Sequence, residues 1–130
     1  MDKLDVVKKI QDIGVVSVVR GKTPEEAMMM SEACIKGGVT AIELAFTTPR
    51  AHEVIEALSK KHADNPDVII GAGTVLDAIT ARIAILAGAQ FIVSPALDVE
   101  TIKLCNRYRV ADEITDTAKK FIAAIQTARK

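Results

Sequence analysis

Short, almost wholly apolar runs alternate along the chain with longer segments whose apolar residues repeat every three or four positions. The short runs are typical of parallel strands buried on both faces, and the longer pattern predicts amphipathic helices. Strands are predicted at residues 15–20, 40–47, 67–71 and 90–94. Their starts lie roughly 25 residues apart, which is enough for one strand, one helix and two loops. The pattern therefore predicts consecutive βα units with parallel strands and right-handed crossovers.

Capping residues and glycines mark the ends of the predicted helices. Thr23 is predicted as an N-cap, with Pro24 at the first helical position and Glu26 completing a capping box. Gly37 supplies the stop at the other end of this helix. Together with a last apolar stripe, such signals predict helices at residues 2–13, 24–36, 49–62, 78–87, 99–108 and 112–129. The result is an α/β fold of four βα units with an extra helix at each end.

Polar residues stand at or near the ends of the predicted strands. Arg20, Thr47, Thr74 and Ser94 each follow an apolar run, and parallel sheets collect their chemistry at the carboxyl ends of the strands. Glu43 stands inside such a run, where a carboxylate is costly unless it has a function or a partner. The residues alone leave two interpretations of Glu43 open. It is either a catalytic carboxylate or a structural one paired with Arg20 or with backbone amides.

Composition narrows the classes of function. The 130 residues fit one domain, and no apolar run reaches the length of about 18 residues that suggests a membrane span. Seventeen basic residues balance seventeen acidic ones, and only 3% of residues are aromatic, which argues against nucleic-acid binding. Cys34 and Cys105 form no CxxC pair, and His52 and His62 are too far apart for a helical metal pair. We expect reduced, buried thiols, surface histidines, no metal and, without a signal peptide, a cytoplasmic protein.

Several short motifs, each weak alone, occur in a specific order. They are residues 19–20 (VR), 25–27 (EEA), 37–43 (GGVTAIE), 46–49 (FTTP), 71–76 (GAGTVL) and 88–95 (GAQFIVSP). In this order and at this spacing they resemble the 2-keto-3-deoxy-6-phosphogluconate aldolases, the KDPG/KHG aldolase family. The resemblance runs continuously over roughly residues 10–110.

This resemblance implies a class I aldolase on a (β/α)8 barrel, usually trimeric, with no cofactor. In the family a lysine forms a Schiff base with pyruvate and a glutamate moves the proton. Glu43 resembles that glutamate. Arg20, Thr47 and Thr74 resemble the side chains around the pyruvate carboxylate and neighbouring substrate oxygens, and Pro95 resembles a residue of the pocket wall. The reaction implied is cleavage of 2-keto-3-deoxy-6-phosphogluconate to pyruvate and glyceraldehyde 3-phosphate.

The chain departs from the family after residue 110. Barrels of this kind run to 200 residues or more, and the family's strand with the Schiff-base lysine has no counterpart here. Residues 111–130 instead resemble the family's final helix. We therefore expect one domain, in which residues 1–110 form the first half of a barrel and residues 111–130 a C-terminal helix. Lys22 is the lysine nearest to a strand end, and we interpret it as a solvated loop charge. Little or no aldolase activity is expected.

An open four-stranded half-barrel would leave two free strand edges and an apolar concave face. We expect self-association, for example of two copies that close an eight-stranded sheet. The alternative is a flattened, doubly wound sheet whose faces are covered by the terminal helices.

Two functions other than that of an aldolase stay open. One is a non-catalytic fragment, natural or engineered, that acts as a folding or assembly module. The other is a small-molecule binder with a carboxylate pocket around Arg20 and Thr74.

Overall fold

A computed structural model describes residues 2–108 and 110–112 of the chain. The helices are α1 (Lys3–Ile13), α2 (Pro24–Lys36), α3 (Ala51–Lys61), α4 (Ala78–Ala87) and α5 (Val99–Tyr108). The strands are β1 (Ser17–Val19), β2 (Ala41–Ala45), β3 (Ile69–Gly73), β4 (Phe91–Ile92) and β5 (Ala111–Asp112). No described helix is long and apolar enough to cross a membrane.

The strands form one sheet in the order β1-β2-β3-β4-β5, and every neighbouring pair is parallel. This consecutive order is that of a barrel wound in one direction, so the predicted α/β half-barrel is confirmed. The doubly wound alternative is wrong, because such a sheet reverses its strand order part-way along.

The described sheet has one strand more than the four predicted. Ala111 and Asp112 pair with Phe91 and Ile92, at the point where the sequence predicts the start of the C-terminal helix. A two-residue strand is too short to leave an apolar run in the sequence, which is why pattern analysis missed it. Residues 113–130 lie outside the described residues, so a C-terminal helix there stays a prediction.

The predicted starts of α2, α4 and α5 are confirmed, but the predicted capping box of α2 and the predicted start of α3 are not. Asp77 and Asp98 cap α4 and α5, and Thr23 accepts a hydrogen bond from the backbone N–H of Glu26. The Glu26 carboxylate, however, accepts from the N–H of Lys22 instead of that of Thr23. Helix α3 begins at Ala51, two residues later than predicted.

Thr48 explains the late start of α3. Its side chain is buried, and its hydroxyl oxygen accepts a hydrogen bond from the backbone N–H of Gly21 at 3.0 Å. The threonine therefore ties the loop after β1 to the loop after β2 and is not used as a helix cap. Arg50 occupies the N-cap position in a left-handed conformation with φ 52°, without a side-chain cap hydrogen bond.

The sheet separates two clusters of apolar side chains. Ile42, Leu44 and Ile70 point toward α2–α5 and pack in the larger cluster. Ile69 and Phe91 point to the opposite, concave face. There they pack against α1 through Val6 and Ile10. Helix α1 therefore covers part of the face that was expected to be open.

Some predictions of burial fail. The spacing of residues in the first helix puts Leu4 on the same side as Ile10 and predicts that it is buried. It is instead 76% exposed, because the buried stripe of α1 runs through Val6 and Ile10. Cys105 is buried as predicted, but Cys34 is only half-buried; both are free of disulfides. His62, expected at the surface, is half-buried against α2.

Candidate active site

Glu43 lies at the centre of β2 on the concave face of the sheet. Its Cα is paired with that of Val18 on β1 and with that of Gly71 on β3. The residue is only 9% exposed, which is unusual for a carboxylate. The sequence prediction of a buried acid in this strand is therefore confirmed, and the carboxylate is set between two neighbouring strands.

Two glycines of β3 make room for side chains of the neighbouring strands. A Cβ at Gly73 would overlap the carboxylate of Glu43, and a Cβ at Gly71 would overlap the ring of Phe91. The two glycines alternate with Ala72, which faces the other side of the sheet. From the sequence, glycines at these positions indicate a tight turn or a close approach of the backbone to a ligand. Their spacing of two residues is the sequence signal for the actual role, because it puts both glycines on the face of the sheet that carries Glu43.

Thr74 directly follows β3 in a strained conformation. Its φ is +54°, in the left-handed region that β-branched residues rarely adopt. The chain on either side is held by neighbouring strands. The N–H of Phe46 donates to the carbonyl of Gly73 at 2.9 Å, and the N–H of Val75 donates to the carbonyl of Val93 at 3.2 Å. Strain of this kind, of about 1–3 kcal/mol, is typical of functional sites.

Arg20 follows β1 by one residue, and its side chain is exposed. The alternation along the strand puts Arg20 on the concave side, because Val19 is buried toward the helices. The following loop is tightly folded, since a Cβ at Gly21 would lie 2.8 Å from the backbone nitrogen of Ala27. Arg20 is thus a cation at the rim, on the strand next to that of Glu43.

Thr47 and Pro95 also lie at this end of the sheet. Thr47 is exposed in the turn after β2, whereas Thr48 is buried and serves the loop contact to Gly21. Pro95 is exposed in the loop after β4, and the buried Ser94 before it donates its hydroxyl to the carbonyl of Ala96 at 2.8 Å. Thr48 and Ser94 thus hold the loops that carry the candidate residues.

The fold gathers the predicted residues at one edge. Arg20, Thr47, Thr74 and Pro95 follow the carboxyl ends of β1, β2, β3 and β4, four adjacent parallel strands. Adjacent strands are about 4.8 Å apart, so the row spans about 15 Å. A three-carbon keto acid is shorter than this row and can contact only neighbouring members of it.

None of the five described strands contains a lysine, and Lys22 is exposed in the loop after Arg20. Among the described residues no cluster of ligands suited to a metal ion is found.

Comparison with known proteins shows the family to which this fold belongs. The family model described as "KDPG and KHG aldolase" matches residues 6–120. The 2-dehydro-3-deoxy-phosphogluconate aldolase of Treponema pallidum is 35% identical over 102 residues, which are 78% of this chain and 47% of the relative. The chain therefore spans about half the length of the relatives it matches.

Solved structures agree in fold. The KDPG aldolase of Zymomonas mobilis ZM4, solved with 3-phosphoglycerate, has a TM-score of 0.72 and 29% identity, covering 85% of this chain and 51% of that one. The KDPG aldolase of Legionella pneumophila, solved with pyruvate captured as a covalent carbinolamine, has a TM-score of 0.62 and 30% identity, covering 75% of this chain and 45% of that one. The consecutive parallel sheet thus matches about half the length of each of these enzymes, and the chain belongs to the KDPG and KHG aldolase family.

Proposed function

We propose that this chain carries the strand-end half of an aldolase site that recognises a 2-keto acid such as pyruvate, and that it does not cleave an aldol by itself. The observation behind the proposal is the burial of Glu43 on the concave face, beside a strained Thr74, in a sheet whose described strands contain no lysine. These described strands supply a carboxylate that can act as a base, but no amine that can form the imine.

Each proposed role follows from chemistry. Arg20 would bind the keto acid's carboxylate, because a guanidinium can donate two parallel hydrogen bonds to it. Thr47 and Thr74 would donate hydroxyl hydrogen bonds to neighbouring oxygens, and Pro95 would supply an apolar wall. Glu43 would move the proton at the carbon next to the keto group, provided that an amine from outside the described residues forms the imine.

The substrate is proposed by relationship. The Legionella enzyme was captured with pyruvate, and the relatives are named for 2-dehydro-3-deoxy-phosphogluconate. We propose the same keto acid class for this chain, whose aldol partner in a whole enzyme would be glyceraldehyde 3-phosphate. Cys34 and Cys105 form no disulfide, which fits a reducing compartment, and we propose that the protein is cytoplasmic.

Titration of the ¹⁵N-labelled chain with pyruvate tests this proposal. We expect millimolar binding, because a small ligand held by one ion pair and a few hydrogen bonds gains little free energy. Shifts should appear at the amides around Glu43 and Thr74, and Arg20→Gln should abolish them. The matched control is Arg82→Gln, since Arg82 is an exposed arginine on the outward helix α4. An unchanged spectrum, or equal loss in both variants, would contradict the proposal.

A second proposal is self-association, as an assembly module. In the described part of the chain β1 is an edge strand, and Val18 on its concave side is 51% exposed. Unpaired edges with apolar side chains invite pairing. Because the described part of the sheet has five strands, two copies of that part would bring ten strands together and not the eight first expected. Sedimentation velocity of the chain and of Val18→Glu tests whether this edge is used, with loss of the larger species expected in the variant. A larger species that Val18→Glu leaves intact would contradict pairing at this edge.

A further inference from the structure

The outward face of α4 and of the residue before its cap is apolar. We call this face the α4 stripe; it consists of Leu76, Ile79, Ile83 and Leu86. All four side chains are between 45% and 75% exposed. Ile79, Ile83 and Leu86 are four and three residues apart, which puts them in one row along the helix, and Leu76 lies just before the N-cap Asp77. Single exposed aliphatic side chains are ordinary, but a row of them on one helix face marks an interaction surface.

Helix α4 does not need this row for its own fold. Its opposite side is already packed in the core through Ala81 and Ala84, which are fully buried. The helix is therefore apolar both toward the sheet and toward solvent. Helices that are apolar all round are normally buried on all sides, so a further surface is expected to cover this one.

A second copy of this chain is the occupant that the charges favour. Arg82 is the only charged residue among the ten of α4, and the whole chain has a net charge of zero. A second copy presents the same charges as the first, so a strongly charged face would repel it, whereas a neutral face does not. A membrane surface would instead call for a helix rich in lysine or arginine on its polar side.

The spacing of the row fits a copy of the same helix. Apolar residues alternately three and four positions apart form the seam along which two helices pack at about 20°. A two-fold axis brings identical rows together without any second, complementary surface. We infer that a second copy of this chain docks on the α4 stripe, with the two α4 helices packed side by side across a two-fold axis.

The apolar area of the α4 stripe limits how tightly two copies can bind. A buried leucine or isoleucine removes about 100 Å² from water, so the stripe contributes on the order of 300 Å² per copy. A stable specific interface buries about 800 Å² per partner. The stripe alone is smaller than a stable interface, so we expect it to be the centre of a weak, reversible dimer. The inference rests on the self-association proposed above but uses a surface on another side of the molecule than the β1 edge.

Sedimentation velocity over a wide concentration range tests the inference on the full chain. We expect a dimer at high concentration, and Ile79→Glu should raise the dissociation constant about 30-fold or more, as for the loss of a central contact. Leu4→Glu is the matched control, because Leu4 on α1 is 76% exposed and Ile79 is 75% exposed; it should leave the dimer unchanged. A parent chain that is monomeric at every concentration would overturn the inference.

Two further results separate this surface from the alternatives. A dimer that Val18→Glu dissociates and Ile79→Glu does not would keep the proposed edge association and overturn docking on the α4 stripe. A monomeric parent whose melting temperature is lowered by Ile79→Glu would place another segment of the same chain on the stripe, which also overturns it.

A cross-link tests the two-fold geometry. Ile83→Cys, in a Cys34→Ser background, should form a disulfide-linked dimer on mild oxidation, because residue 83 lies within the row that faces the other copy. Leu4→Cys in the same background should not. Equal cross-linking of the two variants would overturn the proposed arrangement.

Discussion

The carboxylate of Glu43 occupies the space that a side chain at Gly73 would fill. The two residues are not opposite each other, since the Cα of Glu43 is paired with that of Gly71 and Gly73 lies two residues further along β3. The glutamate side chain therefore leans toward the carboxyl end of the sheet, where Thr74 follows. A glycine on one strand thus directs the carboxylate of the next strand toward the candidate site.

Replacement of Gly73 by alanine tests this relationship. The added methyl group must displace the carboxylate, and overpacking of this kind costs about 1–3 kcal/mol of stability. Glu43→Ala should relieve the clash, so the double variant should be more stable than the sum of the two single changes predicts, by about 1 kcal/mol. Urea unfolding measures all three. Gly37→Ala is the control, because a Cβ there meets only the carbonyl oxygens of Ala33 at 3.3 Å and of Cys34 at 3.5 Å. Strict additivity of Gly73→Ala and Glu43→Ala would contradict the packing described.

Relief of the strain at Thr74 should separate stability from binding. With φ at +54°, Thr74→Gly is expected to stabilise the chain by about 1 kcal/mol, because glycine adopts this region freely. The same change should weaken pyruvate binding, since the hydroxyl is lost. Arg50→Gly is the control, as Arg50 has φ 52° in the turn before α3, and it should stabilise without weakening binding. A Thr74→Gly variant that binds pyruvate as well as the parent would remove Thr74 from the proposed site.

Much of the fold could be predicted from local signals. Helix α4 begins after Asp77 and ends before Gly88 as predicted, because a side-chain cap and a left-handed glycine are short-range features. The start of α3 could not be predicted, because Thr48 is engaged by Gly21, which is 27 residues away in sequence. Strand β5 also depends on a tertiary partner and not on its own two residues.

The candidate site was predicted by composition and resemblance, but its packing was not. Glu43 stands out in an apolar run, and motif order placed Arg20 and Thr74 beside it. The contact of Glu43 with Gly73 joins two strands through a register that no single-strand pattern contains. The sequence shows that residue 73 is a glycine, and only the sheet shows which side chain requires it.

A pH dependence is predicted for the contact between α2 and α3. The Glu32 carboxylate accepts a hydrogen bond from His62 Nε2 at 2.9 Å and lies 3.1 Å from Lys61 Nζ. Partial burial raises the pKa of Glu32, but the bonds from His62 and Lys61 together outweigh burial and hold that pKa below its usual value of 4.5. A lowered folded-state pKa gives stability that is present above the unfolded pKa and lost as the pH falls through the folded one.

Unfolding by urea between about pH 3 and pH 6 measures this effect. Glu32→Gln should flatten the loss of stability below pH 4.5, because the amide does not titrate. Glu56→Gln is the control, since the exposed Glu56 pairs with Lys60 on the same helix and water screens that pair. Glu56→Gln should change the pH dependence of stability less than Glu32→Gln does. Parallel profiles for the parent and Glu32→Gln would contradict the assignment.

We propose that a keto acid is bound at these strand ends but is not captured as an imine. Incubation of the chain with pyruvate and borohydride, followed by intact mass measurement, tests it most directly. A full-length KDPG aldolase treated in parallel shows that the trap works. We expect the mass of this chain to be unchanged under conditions in which pyruvate shifts its amide resonances. A gain of one reduced pyruvate per chain would contradict it, because some lysine of these 130 residues would then supply the missing amine.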